Sequence, residues 1–489
     1  MSKDVPKFND ETIQRLFGHE AAEDEDKTRL RDYYFKGDVF SRITAGLPLR
    51  ILVGHKGIGK SALFTVAMQE DHDNGIVAML IRPDDVVEIE TESSDLLQAI
   101  RNWKNGLIRI IFHKVLTCLG MSDADKNHIL PRFGGKALNF FTDVLEPVIE
   151  KYISQDGVRK QTIARLMQSK HVNVYIDDLD RGWRAASKEI GRLSALLNAL
   201  RDLSKEYEGL HFRVALRSDV YFLVRTSDES TDKIEGSVVW HTWSNHEILA
   251  MLVKRIESFF GRTRDEKELM SMLQPDLAKF LDPVMERVFE GYGHWRNCPT
   301  YRVLMSLIRK RPRDIVKLTT LAAQKAGSAG RNKIATSDFD DSFTEYSQGR
   351  LQDTTNEFRS ELPQIERLLL GMKPNKRERQ SKMGYTYTTA DLVNKIKNIE
   401  QGGNFTFYGG KPASPKALAQ FMYKINFLTA RKEAGNGTIV RKYFEENRYL
   451  ASELADFGFD WEVHPAYRWA LQPDDVKSIF SELKPSSDG

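Results

Sequence analysis

Five short apolar runs mark the first half of the chain: Ile51–Val53, Ile76–Ile81, Val172–Ile176, Phe212–Leu216 and Val238–Trp240. Each is followed by polar or turn-forming residues, the pattern of strands buried on both faces of a parallel sheet. Between them, residues 95–119 and 188–207 carry apolar side chains at helical spacing. Strand and helix in alternation predict an α/β domain.

From about residue 245 the strand pattern stops. Ile248, Leu249, Leu252, Val253, Ile256 and Phe259 recur at intervals of three and four, the stripe of an amphipathic helix, and an all-helical subdomain is expected to about residue 330. Residues 326–336 read as a loop, with Thr336 or Ser337 as N-cap of a helix beginning near Asp338. A linker rich in Lys and Arg crosses 373–382. Beyond it the spacing predicts a helix from Thr388 or Thr389 through Ile396, a second from Pro415 to Ile425, and a hairpin of Phe427–Arg431 and Thr438–Lys442 around the turn Gly435-Asn436-Gly437. Helix, helix, hairpin is the outline of a winged helix-turn-helix. The expected divisions are an N-terminal extension (1–45), an α/β core (46–244), a helical lid (245–330), a helical linker (331–382) and a winged-helix-like domain (383–489). No internal repeat or low-complexity tract interrupts them.

The 489 residues are 41% hydrophobic and 29% charged, a globular composition. No stretch approaches the roughly 18 uninterrupted apolar residues of a membrane helix, and the polar start MSKDVPKFND has no apolar signal core. A cytoplasmic protein without a membrane partner is expected. Cys118 and Cys298 form neither a disulfide framework nor a metal-ligand spacing. A net charge of +3 is too small to indicate nucleic acid by itself.

The first apolar run leads directly into Gly54-His55-Lys56-Gly57-Ile58-Gly59-Lys60-Ser61. This is Gly-x4-Gly-Lys-Ser between a strand and a helix, the context that a phosphate-binding loop requires. Glycines allow the tight turn and aim backbone N–H groups at phosphate oxygens, and the following helix N-terminus adds its positive dipole end. Gly54, Lys56, Gly57, Ile58, Gly59, Lys60, Ser61 and Ala62 form the expected nucleotide-binding set. Lys60 reaches the β and γ phosphates, and the Ser61 hydroxyl ligates Mg²⁺. The predicted fold class is therefore α/β, a P-loop NTPase parallel sheet with a helical lid and a C-terminal winged-helix-like domain.

Such an enzyme needs an acid at the end of another buried strand. The run Val172–Ile176 ends in Asp177-Asp178-Leu179-Asp180-Arg181. Asp177 is the candidate Mg²⁺ residue and Asp178 the candidate general base. The competing reading is that both cap a helix starting near Trp183. Arg217, at the end of the next strand, either senses the γ phosphate or forms a surface salt bridge. Arg225 could reach a neighbouring subunit's nucleotide as an arginine finger if the chain assembles. In Arg311-Pro312-Arg313-Asp314, Pro312 suits a first helical turn. Arg313 then opposes the helix dipole and needs a partner, either a nucleotide phosphate or a carboxylate such as Asp314.

On the loop, on Asp177–Arg181, on Arg217 and on Arg311–Asp314, the chain resembles the bacterial KAP-like and STAND-like P-loop ATPases, relatives of the AAA+ proteins. Phe17–Glu23 is similar to the entry segment of one such family. The resemblance spans about residues 15–330. It implies ATP as the nucleotide, and an ATP-driven switch that assembles with itself or with a partner, often in bacterial anti-phage or stress systems. KAP proteins often carry membrane helices and STAND proteins long repeat sensors; this chain has neither pattern, which favours an ATPase working with a separately encoded effector.

The alternative is a DNA-binding ATPase that uses the winged helix to load on or sense DNA. Lys416, Lys424, Arg431, Lys432, Arg441 and Lys442 supply positive charge there, but Glu433, Glu445, Glu446, Glu453 and Asp456 follow closely. Trp461, His464, Tyr467 and Trp469 could stack on bases or pack a core. No HExxH, metal-ligand cysteine pair or GxSxG elbow marks a protease or nuclease.

Overall fold

A computed structural model describes residues 6–89, 95–118, 138–139, 171–227, 229–380, 384–435, 437–448, 450, 458–472, 479–480 and 483–486. Asn436, Glu453, Asp456 and the Leu119 end of the first long predicted helix lie outside the described residues. The chain divides into two compact units: Asp38–Lys56 with Lys60–His241, and Met1–Gly37 with Gly57–Gly59 and Thr242–Gly489.

The first unit is built on five parallel strands: β1 (Leu49–Val53), β2 (Val77–Ile81), β3 (Val172–Ile176), β4 (Leu210–Leu216) and β5 (Val238–Trp240), in the order β2-β3-β4-β1-β5. All five residues of β3 are buried, the polar Asn173 among them. The register aligns the strand ends: Val53 opposes Leu216, and Ile81 opposes Ile176. The chain leaves β1 through α4 (Lys60–Asp73) to reach β2 at the far edge, so β1 lies between later strands. This reversal of strand order is where open α/β sheets form ligand crevices, at the carboxyl ends of the strands. Before β1 come α1 (Asp10–Phe17) and α2 (Lys27–Tyr33), which belong to the other unit, and α3 (Asp38–Thr44). Helix α5 (Leu96–Cys118) packs on α6 (Ser187–Glu206), and α7 (Ser218–Ser227) follows β4. Asp71, near the end of α4, accepts hydrogen bonds from Asn173 Nδ2 (2.8 Å) and the Tyr175 hydroxyl (2.7 Å) of β3.

In the second unit, Ser244 caps α8 (Asn245–Phe259) in a reciprocal box with Glu247, Glu247 N–H to Ser244 Oγ at 3.1 Å and Ser244 N–H to Glu247 Oε2 at 2.8 Å. Helices α9 (Thr300–Leu307), α10 (Pro312–Ser328) and α11 (Thr336–Phe358) share one core with α8 and α1. The region is not all helical, as the sequence suggested. A small antiparallel pair, β6 (Val288–Glu290) and β7 (Arg296–Pro299), precedes α9; runs of three and four residues are too short to show a period. The N-cap of α11 is Ala335, neither Thr336 nor Ser337, and its backbone N–H is satisfied by the Asp338 carboxylate at 2.8 Å. Thr336 Oγ1 instead accepts from Glu290 N–H at 2.9 Å.

The C-terminal region has the expected order: α12 (Thr389–Glu400), capped by Thr388, then α13 (Pro415–Lys424) and the hairpin β9 (Leu428–Glu433) and β10 (Ile439–Lys442). With β8 (Thr386–Tyr387) and β11 (Asp460–Val463) the hairpin makes a four-stranded sheet, order β8-β11-β9-β10. Trp461, His464, Tyr467 and Trp469 are all buried. Trp469 packs on Trp295, Phe343 and Phe480, so the cluster is core and offers no face to bases. Arg441 is buried against Glu462 (Nε to Oε2, 2.9 Å) and Lys424 against Glu361, which removes two of the six cations counted for nucleic acid.

Burial would raise the Glu462 carboxyl, but Arg441 and Arg468 more than offset it and hold it down at about 2, below its ordinary 4.5. A depressed carboxylate contributes stability that is complete above the unfolded value and is lost as pH falls toward the folded one. Thermal unfolding of the protein should therefore shift to lower temperature between about pH 4.5 and 2, and Glu462→Gln should flatten that dependence. An identical pH profile in the variant would refute the assignment.

Candidate nucleotide site

The loop after β1 begins as an extension of the sheet: Gly54 N–H donates to Leu216 O at 3.1 Å. Gly57 and Gly59 take φ of +77° and +103°, values open to glycine and strained for other residues. Helix α4 begins at Lys60. The Lys60 ammonium donates to the carbonyls of Gly54 (2.7 Å) and His55 (3.0 Å), so it lies over the mouth of its own loop. Lys56 is exposed, while Ser61 and Ala62 are partly buried in the first turn of α4.

Asp177 follows β3, and the Ser61 hydroxyl hydrogen-bonds to it. Burial pushes the Asp177 carboxyl up; the Ser61 hydrogen bond and the Lys60 charge offset this only in part. A carboxylate desolvated beside a hydroxyl is an oxygen pair suited to Mg²⁺, whose charge would favour the ionised form. Asp178 is exposed, with φ +65° and its N–H on Asp177 Oδ1 at 3.0 Å. Aspartate tolerates this left-handed backbone better than most residues. Neither aspartate caps a helix near Trp183, because α6 starts at Ser187 with Ala186 as N-cap.

Arg217, at the end of β4, is bridged to a buried carboxylate. Its Nε and Nη2 form a two-pronged pair with Asp219 (3.1 and 2.7 Å), a fully buried carboxylate. Its backbone N–H donates to Asp180 Oδ2 at 2.8 Å. Asp180 and Asp219 were not assigned roles from sequence, and together they fix the β3 and β4 ends against each other. Burial raises the Asp180 carboxyl, with Arg217 and Lys60 pulling the other way. His241, after β5, was also missed. Burial first and the Lys60 charge second lower its imidazole to about 3, so it is neutral near pH 7. Gly54, Asp177, Arg217 and His241 each follow directly on a strand end, a placement that alone could have pointed to His241. Arg225, in the last turn of α7, pairs with Asp232 (2.6 Å) and Glu235 (3.3 Å) of its own unit.

The loop tip, Gly57–Gly59, groups with the second unit. There the Trp243 indole N–H donates to Ile58 O at 2.9 Å, and Arg313 N–H to Gly57 O at 3.4 Å. The Arg313 side chain lies against Gly57: a Cβ on that glycine would meet Arg313 Cδ at 3.2 Å. Asp314 is not its partner. Arg313 Nε reaches Glu20 O at 3.3 Å, while Asp314 is held by Arg309 (2.8 Å) and Arg350 (3.0 Å). Burial would raise the Asp314 carboxyl, but those arginines hold it well below the usual carboxylate range. Asp314→Asn would leave two buried guanidiniums facing a neutral amide. It should destabilise the protein by about 3–5 kcal/mol, read as a fall in the denaturant midpoint; an unchanged midpoint would sink this account.

Among the described residues no helix is long and apolar enough to cross a membrane. Residues 246–355 match the FunZ-associated C-terminal helical domain. An 80.3 kDa protein of Escherichia coli (strain K12) ascribed to transposon gamma-delta is 21% identical, over 95% of this chain and 69% of its own length. Two solved structures are similar to the chain. A Walker-type ATPase of Pyrococcus abyssi is 13% identical, with a TM-score of 0.41 over 89% of this chain and 95% of its own. The ORC2 protein of Aeropyrum pernix is 11% identical, with a TM-score of 0.39 over 89% and 87%.

Proposed function

We propose that the chain is a regulatory ATPase. It binds Mg²⁺-ATP in the loop from Gly54 to Ser61, hydrolyses it slowly or on stimulation, and uses the nucleotide state to control assembly with itself or with a separate effector. The observation that carries this reading is the convergence of Lys60, Ser61 and Asp177 at the carboxyl ends of β1 and β3, with Ser61 bonded to Asp177. Lys60 would exchange the Gly54 and His55 carbonyls for phosphate oxygens. Ser61 and Asp177 would hold Mg²⁺, which supplies charge neutralisation between the phosphates. Arg313, against Gly57, would add a cation to the bound phosphates. Asp178 would orient the attacking water and accept its proton as the bond from the γ phosphorus to ADP breaks. For assembly, Arg225 would exchange Asp232 and Glu235 for a neighbour's nucleotide; identical mass distributions with and without ATP would count against this part. The KAP-like and STAND-like resemblance is what supports a role for such a switch in bacterial anti-phage defence.

The test is ATP hydrolysis by the purified protein, alone and with double-stranded DNA, with Lys60→Ala as control. Low, DNA-indifferent turnover absent from the control supports a switch served by a protein partner. Stimulation by DNA, acting through Lys416, Lys432 and Lys442, supports the DNA-loading alternative. Turnover that survives in Lys60→Ala removes both.

A further inference from the structure

The segment Ile308–Arg311, between α9 and α10, is held by its neighbour Asp314 and by residues far away in sequence. Arg309 is 4% exposed. One edge of its guanidinium is taken by Asp314, and Nη1 donates to the Tyr467 hydroxyl at 2.7 Å and to Thr354 Oγ1 at 3.2 Å. The Thr354 and Tyr467 hydroxyls are themselves 3.0 Å apart. Lys310 pairs with Glu446 (2.6 Å), and its ammonium lies over the Tyr443 ring. The Tyr443 hydroxyl reaches Ile308 O at 3.5 Å and is bonded to His464 Nε2 at 2.9 Å. Three consecutive residues are thus gripped by the C-terminal region, at Tyr443, Glu446 and Tyr467.

What they grip is strained. Lys310 has φ +52°, a left-handed backbone that costs a non-glycine residue roughly 1 kcal/mol or more. Two residues later α10 begins, and Arg313 meets the loop tip at Gly57. The turn at Lys310 therefore sets the line along which α10 presents Arg313.

We infer that Arg309 and Tyr467 are positioning residues for Arg313: the C-terminal region holds the Ile308–Arg311 turn that aims Arg313 at the phosphate loop. This rests on the nucleotide reading above and adds the route by which that site is governed.

The test is a double-mutant cycle on the full chain, reading the Kd for a fluorescent ATP analogue with Mg²⁺. Tyr467→Phe removes one hydroxyl and keeps the ring. It should raise Kd about fivefold in the wild-type background and add nothing in the Arg313→Ala background, since coupled residues are non-additive. Thr354→Val, which removes the other hydroxyl on Arg309, should behave the same way and replaces Tyr467→Phe if that variant does not fold. An equal factor in both backgrounds, or none in either, overturns the positioning role and leaves the nucleotide reading intact. If wild type and Arg313→Ala bind alike, or neither binds, the reading beneath it has failed as well.

Discussion

Lys60→Ala should give a folded protein that no longer holds ATP at concentrations that saturate the wild type. The side chain removed is the one cation that both follows the glycine turn and already spans the loop, on the carbonyls of Gly54 and His55. A bound triphosphate brings several negative charges to that point, and truncating one member of a desolvated charge pair costs about 2–5 kcal/mol, or roughly 30-fold to a few thousand-fold in Kd. Alanine is a good helix former, so the start of α4 should survive the change. Titration with a fluorescent ATP analogue, beside a thermal melt to confirm folding, reads the effect. A variant that melts like wild type and binds ATP with unchanged affinity would refute the loop as the nucleotide site.

Asp178→Asn separates binding from chemistry. Asp178 is exposed, and its contact with Asp177 runs through its backbone N–H, so the proposed metal pair, Ser61 and Asp177, is untouched by the change. Asparagine also accepts a φ of +65°, whereas alanine would add backbone strain and blur the result. Loss of a general base costs about 10²–10⁴ in rate. The expected outcome is unchanged ATP affinity with kcat lowered by about that factor, in a malachite-green or coupled-enzyme assay. Wild-type turnover would remove Asp178 from the base role and leave Asp177 or His241 to be tried.

The parts of this molecule that sequence reveals are those whose chemistry is local. Gly-x4-Gly-Lys-Ser lies within eight residues, and strand, turn and helix N-terminus follow from it without knowledge of anything distant. The five parallel strands were legible because burial on both faces leaves short, mostly apolar runs. Partners that meet only in three dimensions were not. Asp180 and Asp219 look like surface carboxylates until Arg217 is placed between them. Arg441 and Lys424 count as cations available to nucleic acid until Glu462 and Glu361 are found against them. Arg313 invited pairing with its neighbour Asp314, yet adjacent residues on a helix do not face each other, and Asp314 turns inward to Arg309 and Arg350. The short strands β6, β7 and β8 were missed because two to four residues cannot display a period of two.

The attachment of Asp71 to Asn173 and Tyr175 has a mechanical meaning. Helix α4 is fastened to β3 near both of its own ends: Ser61 in its first turn meets Asp177, just past the strand, and Asp71 near its last turn holds Asn173 and Tyr175 within it. Helix and strand form a truss pinned at both corners. For the proposed metal pair, Ser61 and Asp177, the ordering entropy would then be lost during folding and not when the ligand arrives, which is preorganisation in its thermodynamic sense. A substitution at Asp71 would loosen the truss away from the loop and, if Ser61 and Asp177 hold the metal as proposed, would weaken metal affinity without touching either.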